Sequence, residues 1–147
     1  MYECIVVGTD GSAMAAQAVR HAAGLAAQAG ARLEIVTAYE PVPAAQLRAQ
    51  AQVAPADVQW AINPREDVDA TLEEAAAQAR TLGVAVSLHA RQGDPADAIL
   101  DVAEETGADL IVIGNKGMTG AKRFLLGSVP NKVSHHAPCS VLIVRTS

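Results

Sequence analysis

Two patterns of apolar and polar residues alternate along the chain. Short runs that are apolar throughout, such as CIVV and LIVI, are typical of parallel strands buried on both faces. Between them lie longer stretches in which apolar residues recur every three or four positions, the spacing of an amphipathic helix. The runs predict strands at residues 4–7, 32–39, 84–91, 110–113 and 141–144. The alternation predicts an α/β fold, an open parallel five-stranded sheet with helices on both faces.

The predicted helix ends carry residues that suit them. Ser12 opens the first helix and Gly30 supplies its stop. The third helix begins with Asp94 as N-cap and Pro95 in the first helical position. In the second helix, Leu82 is predicted to extend the buried apolar face because it continues the helical spacing.

A proline-rich segment separates the second strand from the second helix. Residues 40–64 hold four of the seven prolines, so they are not predicted to form one regular helix. We expect a partly ordered flap that carries Trp60, the one tryptophan of the sequence. No shift in composition marks a linker, and residues 1–147 are therefore predicted to form a single domain.

Composition and net charge exclude several classes of protein. The net charge of −5 at pH 7 argues against non-specific binding of nucleic acid. No apolar run reaches the roughly 20 residues that cross a bilayer, and the first ten residues lack a secretory signal. We therefore expect a cytoplasmic protein without a membrane partner. Cys4 and Cys139 lie beside apolar runs without the spacing of metal or redox motifs, which predicts inert thiols.

The charges are unevenly distributed along the chain. All 16 acidic residues fall within residues 1–109, whereas residues 110–147 hold five basic residues and no acid. These basic residues are Lys116, Lys122, Arg123, Lys132 and Arg145. A basic segment that also carries glycines predicts a site for a small anion, although chance clustering of five bases gives the same pattern.

Two glycine-bearing loops are predicted at the carboxyl ends of strands, where open parallel sheets bind ligands. They are GTDG at residues 8–11 and GNKG at residues 114–117. The second loop leads to Gly127 and Ser128, where free N–H groups and a hydroxyl are predicted at the start of the fourth helix, a place that favours phosphate. The spacing matches neither a Walker A loop nor the dinucleotide GxGxxG motif. These residues alone leave a phosphate site and ordinary turns as equal alternatives.

The glycine spacing resembles a known signature. Gly114, Gly117, Gly127 and Ser128 follow the pattern G-x2-G-x9-G-S, which is similar to the ATP-binding signature of the universal stress protein family. The stretches GTDGS, GDP and PCSVLIV resemble further stretches of that family, in the same order. The resemblance covers essentially the whole chain and implies a Rossmann-like fold with strand order 3-2-1-4-5.

The resemblance also implies which residues contact a nucleotide. They are Gly8, Thr9, Asp10, Ala38, Ile113, Gly114, Lys116, Gly117, Gly127, Ser128 and Val129. Ala38 would lie beside the adenine, and the residues from Lys116 onward would meet the phosphates. Asp10 would face the ribose or the adenine edge, or would help to hold a metal with the phosphates; alternatively, it caps the first helix. Ser128 has the alternative of being an ordinary N-cap.

The residues indicate a regulatory nucleotide-binding protein rather than a dedicated enzyme. No base, nucleophile or metal set accompanies the predicted phosphate loop, so no catalytic residue is predicted and at most slow ATP hydrolysis is expected. The resemblance implies ATP, with or without Mg²⁺, as the ligand. Pro130 departs from the family pattern, in which many members have a hydroxyl or small residue at this position. It has no N–H to offer a phosphate, which makes cyclic AMP the alternative ligand.

An interaction scaffold that does not depend on nucleotide is a second class of function. In the implied strand order, the last strand forms an apolar edge, which a soluble protein normally covers. The resemblance implies a homodimer through antiparallel pairing of this edge. The residues of the edge are Val141, Leu142, Ile143 and Val144.

Overall fold

The computed structural model describes residues 2–39, 64–115 and 127–146, except for the side chains of residues 64–66. The strands are β1 (Cys4–Gly8), β2 (Arg32–Tyr39), β3 (Val86–Gln92), β4 (Leu110–Gly114) and β5 (Ser140–Val144). The helices are α1 (Ala13–Ala29), α2 (Pro64–Arg80), α3 (Pro95–Thr106) and α4 (Ser128–His136). The flap predicted at residues 40–64 lies outside the described residues, apart from Pro64, which begins α2.

The strands form one parallel sheet in the order β3-β2-β1-β4-β5. β1 lies in the middle, where Val6 is opposite Glu34 of β2 on one side and Ile111 of β4 on the other. From β1 the chain builds outward to β3, then returns to the centre for β4 and continues to β5. The predicted α/β fold and strand order are confirmed, and the direction of winding reverses between β1 and β4.

Two apolar layers separate the sheet from its helices. On one face, α1 and α2 pack on strand residues such as Ile5 and Leu33. On the other face, α3 and α4 pack on residues such as Val6 and Ile111. Neighbouring residues of a strand point to opposite faces, so β1 and β4, which are covered on both faces, each carry an unbroken run of four apolar residues. The prediction of helices on both faces is confirmed.

The predicted helix caps are present. The Ser12 hydroxyl accepts a backbone N–H of the first turn of α1, and Gly30 ends that helix with a φ of +70°. The Asp94 carboxylate accepts the N–H of Asp97 at 3.0 Å, and Pro95 is the first residue of α3. No helix in the described part of the chain is long and apolar enough to cross a membrane.

One predicted core position is wrong. Leu82 is 52% exposed, although it continues the helical spacing of α2. The helix ends at Arg80, and after Thr81 the N–H groups bond to carbonyls three residues back, from Leu82 to Ala79 and from Gly83 to Arg80, both at 3.0 Å. This tighter turn carries Leu82 away from the buried face of the helix.

Burial raises the pKa of both cysteine thiols. Cys4 is buried in β1, Cys139 is half-buried before β5, and both are free. A raised pKa keeps each sulfur in the thiol form near neutral pH, which makes it a poor nucleophile and a poor metal ligand. Among the described residues, no group of three or more His, Cys, Asp or Glu side chains could hold a metal ion.

A buried carboxylate ties β2 to its neighbours. The side chain of Glu34 is only 7% exposed, and its oxygens lie 3.6 Å from Nε of Arg32 and 3.4 Å from Nε2 of His89 on β3. Arg32 also donates to the carbonyl of Thr106, the last residue of α3, at 2.7 Å. A charge that is removed from water needs such partners. The cluster therefore links β2, β3 and α3.

Candidate functional site

The carboxyl ends of β1 and β4 lie side by side, where the winding of the sheet reverses. Val7 of β1 is opposite Val112 of β4, so the two strands end within one residue of each other, at Gly8 and Gly114. In open parallel sheets, the two loops diverge at this position and leave a crevice that binds ligands. The structure thus brings together the starts of the two glycine-bearing loops.

The loop after β1 is held by hydrogen bonds to β2 and within itself. The N–H of Thr9 donates to the carbonyl of Val36 at 2.9 Å, and the carbonyl of Thr9 accepts the hydroxyl of Thr37 at 2.6 Å. The Thr9 hydroxyl accepts the N–H of Gly11 at 3.2 Å. Gly11 has a φ of +83°, a conformation that favours glycine. Asp10 is thereby held at the tip of the loop, exposed to solvent.

Asp10 does not cap α1, so that alternative is wrong. Ser12 is the N-cap, and its hydroxyl accepts the N–H of Ala15 at 3.0 Å. Asp10 stands two residues earlier, where its Oδ1 accepts the N–H of Ser12 at 2.9 Å and braces the turn that leads into the helix. An ionised carboxylate has about four acceptor positions, so this bond leaves capacity for a ligand.

Gly8 has a packing role beside its predicted role at the site. A Cβ atom at this position would lie 2.5 Å from Cδ1 of Ile99 on α3. That distance is shorter than Cβ contacts in proteins, so the absence of a side chain lets α3 approach the end of β1. Glycine at this position therefore fits helix packing as well as contact with a ligand.

Asn115 is a residue of the site that the sequence analysis did not single out. It is 9% exposed. Its N–H donates to the carbonyl of Val144, and its Oδ1 accepts both the N–H and the hydroxyl of Thr146, each at 2.9 Å. Its carbonyl accepts the N–H of Gly127, also at 2.9 Å. Asn115 thus joins the end of β4, the end of β5 and the start of α4. An amide residue directly after the glycine that closes a buried strand is the signal that could have found it.

Helix α4 begins at this junction, with Gly127 as its N-cap and no side-chain cap hydrogen bond among the described residues. Ser128 is the first helical residue, so the interpretation of Ser128 as an ordinary cap is wrong. The N–H groups of Ser128 and Val129 have no partner within the helix, as its geometry dictates. The Gly127 N–H was predicted to be free, but it is bonded to Asn115. Pro130, the third helical residue, brings no N–H.

Three of the predicted contact residues share one apolar layer. Ile113 belongs to the buried cluster beneath α3 and α4, and Ala38 and Val129 pack against the same cluster. The end of β2, the end of β4 and the first turn of α4 therefore meet on the α3 and α4 face of the sheet. Lys116 and Gly117, the remaining predicted residues of the second loop, lie outside the described residues.

The charge of Lys132 on α4 is balanced by α3. Its Nζ lies 2.9 Å from Oδ1 of Asp97 and 3.4 Å from Oδ2 of Asp94. The hydrogen bond to Asp97 raises the pKa of Lys132, and the backbone N–H of Asp97 together with Lys132 lowers the pKa of Asp94. Lys132 and Asp94 are therefore charged near neutral pH. The predicted anion site included Lys132 as one of five positive charges, and the sequence did not reveal its pairing with two carboxylates.

A model of the universal stress protein family matches residues 1–145 of the chain. The chain belongs to the universal stress protein family. The resemblance inferred from the glycine signature and the ordered motifs is thus confirmed for the family, across almost the whole sequence.

Relatives within the family include proteins with bound nucleotides. A universal stress protein of Mycobacterium tuberculosis is 38% identical over 148 aligned residues, which cover 99% of this chain and 98% of the relative. A universal stress protein in complex with cAMP is 36% identical, covers 99% of this chain and 98% of its own, and superposes with a TM-score of 0.73. The universal stress protein from Archaeoglobus fulgidus in complex with dAMP is 26% identical, with coverage of 98% for both chains and a TM-score of 0.68.

Proposed function

We propose that this universal stress protein binds ATP at the crevice between β1 and β4 and acts as a regulatory stress sensor, with at most slow ATP hydrolysis. The observation that carries the proposal is the start of α4, which has no side-chain cap among the described residues and is fixed by Asn115 where the strand order reverses. A phosphate is favoured at such a position because the N–H groups and the helix dipole both point toward it. The relatives in complex with cAMP and dAMP support an adenine nucleotide.

The proposed contacts to the nucleoside come from β1, β2 and β4. Ala38 and Ile113, which belong to the apolar layer below the crevice, would contact the adenine. Thr9 and Asp10 would face the ribose. Mg²⁺ usually binds one or two carboxylates together with the phosphates of its nucleotide, so the exposed Asp10 fits the alternative of holding Mg²⁺ with ATP.

The proposed contacts to the phosphates come from the second loop and α4. The N–H groups of Ser128 and Val129 and the exposed Ser128 hydroxyl would donate hydrogen bonds to phosphate oxygens. Gly127 would contribute only by letting a phosphate come close to the backbone, because its N–H already donates to the carbonyl of Asn115. Gly117 would allow the same approach, and Lys116 would add a positive charge. Gly8 and Gly114 would border the crevice.

Cyclic AMP is the alternative ligand, and Pro130 favours it. Pro130 is the third residue of α4, so the first turn offers two N–H groups where a helix without proline offers three. Two donors suffice for a single phosphate but serve a triphosphate less completely. We nevertheless propose ATP as the main ligand, because the sequence between Gly114 and Gly127 carries three positive charges that suit a polyphosphate, at Lys116, Lys122 and Arg123.

Replacing Ser128 with glutamate is expected to weaken ATP binding without unfolding the protein. A carboxylate in the first turn of α4 is stabilised by the helix dipole by about 0.3–1 kcal/mol, so stability is kept or raised. The same carboxylate would occupy the phosphate position and repel the ligand. Calorimetric titration with Mg-ATP, GTP and cyclic AMP should show micromolar ATP binding by the unmodified protein, about −8 kcal/mol, and at least about tenfold weaker binding by the variant.

Ala77→Glu is the matched control, because it adds the same charge at an exposed position of α2, on the opposite face of the sheet. It should bind ATP as the unmodified protein does. Undiminished ATP binding by Ser128→Glu would contradict the proposed site. Tighter binding of cyclic AMP than of ATP would make the protein a binder of that second messenger, and no binding of any nucleotide would favour the scaffold.

A homodimer that forms with or without nucleotide is a second candidate function, and β5 supports it. Val141 to Val144 are apolar and only half-buried, and β4 pairs with one side of this strand. Within the described residues, no strand pairs with the other side. Apolar edge strands are usually covered in soluble proteins. We therefore propose antiparallel pairing of β5 with β5 of a second copy, through Val141, Leu142, Ile143 and Val144.

Leu142→Lys is expected to separate the proposed dimer. The substitution places a charge in the middle of both paired strands, so dimer affinity should fall by about a hundredfold or more, as expected when two charges are buried without partners. Analytical ultracentrifugation gives the oligomeric state, and circular dichroism shows whether the variant is folded. Leu82→Lys is the control, since Leu82 is exposed away from β5. A dimer that withstands Leu142→Lys would exclude this interface.

A further inference from the structure

One ion-pair cluster joins α4 to the first turn of α3 beside the proposed phosphate site. It consists of Lys132, Asp94 and Asp97, and we call it the Lys132 cluster. Asp94 caps α3 through the N–H of Asp97, and Lys132 contacts both carboxylates, at 3.4 Å and 2.9 Å. The cluster thus holds two acidic groups and one basic group, all of them partly exposed to solvent.

The helix geometry of α4 directs the cluster toward the proposed phosphates. Lys132 follows Ser128 by four residues, so the two side chains lie on the same face of the helix. Side chains on a helix lean toward its N-terminus, which brings the ammonium of Lys132 toward the first turn. Its two carboxylate partners start α3, whose N-terminus also lies at the carboxyl edge of the sheet, directly after β3.

The charges of the cluster matter for an anionic ligand. Two carboxylates next to the first turn of α4 would repel a polyphosphate, and the repulsion would grow with the number of phosphate charges. Lys132 offsets one of the two carboxylates. Because the groups are partly exposed, the remaining effect is reduced by salt in the solution.

We propose that Lys132 is a specificity-determining residue, which sets how strongly the site distinguishes ligands by the charge of their phosphates. The proposal rests on the proposed nucleotide site. Lys132 acts by balancing Asp94 and Asp97 rather than by contact with the nucleoside. Its removal therefore weakens ATP binding, weakens AMP binding less, and leaves adenosine binding unchanged.

Titration of the full chain with adenosine, AMP and ATP tests the proposal in two variants that change the charge of the Lys132 cluster in opposite directions. Lys132→Met leaves two unbalanced carboxylates, and the affinity ratio of ATP to adenosine should fall by about threefold to tenfold at low salt. Asp97→Asn keeps the shape of the side chain and makes the cluster neutral, so the same ratio should rise by about twofold to threefold. Both changes should shrink toward none at about 1 M salt, where the screening length is about 3 Å.

Two controls separate charge from structure. Lys132→Arg keeps the charge and should keep the ratio. Arg80→Met removes an exposed ion pair with Glu73 on α2, and it changes the net charge as Lys132→Met does, so it should leave the ratio unchanged. If Lys132→Met and Asp97→Asn leave the ratio unchanged or shift it in the same direction, the role of Lys132 is refuted while the nucleotide site stands. If the unmodified protein binds neither adenosine nor ATP, the site itself fails and this proposal fails with it.

Discussion

Asn115→Ala is expected to lower the free energy of unfolding by about 2–4 kcal/mol and to abolish ATP binding. The substitution removes Oδ1, which accepts the N–H and the hydroxyl of Thr146 at 2.9 Å each. Thr146 is only 8% exposed, so water cannot readily replace this acceptor. A buried donor that loses its acceptor costs about 1–3 kcal/mol, and two donors are affected here. The end of β5 then loses its anchor to the end of β4.

The loss of binding should follow from the same change. The carbonyl of Asn115 holds the N–H of Gly127, the N-cap of α4. When the side chain no longer fixes Asn115, we expect the start of α4 to be held less firmly and its N–H groups to lose their orientation toward the proposed phosphate. Faster hydrogen exchange at the Gly127 amide should accompany the weaker binding, while adenosine affinity should change much less than ATP affinity.

Denaturation in urea measures the stability change, and two further variants give an intermediate loss and a control for comparison. Thr146→Val removes one of the two donors and should cost about half as much as Asn115→Ala. Asn131→Ala, at an exposed position of α4, should stay within about 0.5 kcal/mol of the unmodified protein. If Asn115→Ala is as stable as Asn131→Ala and binds ATP normally, Asn115 has no positioning role.

The combined substitution Arg32→Met and His89→Leu is expected to destabilise the fold by about 3–5 kcal/mol. Arg32 is the ion-pair partner of Glu34, and the His89 ring is its second side-chain contact, at 3.4 Å; the Glu34 side chain is 7% exposed. Without them, a charge stays buried with its desolvation uncompensated. The guanidinium of Arg32 also accounts for a hydrogen bond to Thr106 at the end of α3, which the double variant loses.

Adding Glu34→Leu to this double variant separates the two contributions. The third substitution removes the unpaired charge and should restore most of the lost stability, because an apolar side chain suits the layer beneath α3. The part that is not restored measures the Arg32 contact with Thr106. Equal stabilities of the double and triple variants, in urea denaturation at neutral pH, would show that Glu34 does not depend on its partners.

The architecture followed from the sequence because β1 and β4, which lie between two helix layers, are apolar on both faces. Four-residue runs such as CIVV and LIVI therefore marked β1 and β4 directly. Helix caps were equally readable, since Ser12 and Asp94 act through bonds to neighbouring residues. Local rules failed at Leu82, where the helical spacing continues but the helix does not.

The site was less readable than the fold because its key contacts join distant parts of the chain. The hydrogen bonds of Asn115 to Thr146 span 31 residues, and no periodic pattern in the sequence predicts them. The bond from the Gly127 N–H to the Asn115 carbonyl likewise depends on how α4 returns to β4. The glycines predicted a crevice at this edge of the sheet, but tertiary structure decides which N–H groups are already bonded within the protein.

The central position of β1 has a consequence for the order in which the chain can fold. β1 is synthesised before the other four strands of the sheet, yet one of its edges pairs with β4, which begins at Leu110. Asp109 closes this junction by accepting the N–H groups of Glu3 and Cys4 at 2.9 Å and 3.2 Å. At about 5–20 residues per second, a ribosome needs about 5–20 s to supply that partner. During this interval β1 can pair with β2, but the backbone N–H and C=O groups of its other edge stay unpaired, so the nascent chain is most vulnerable to aggregation before β4 emerges.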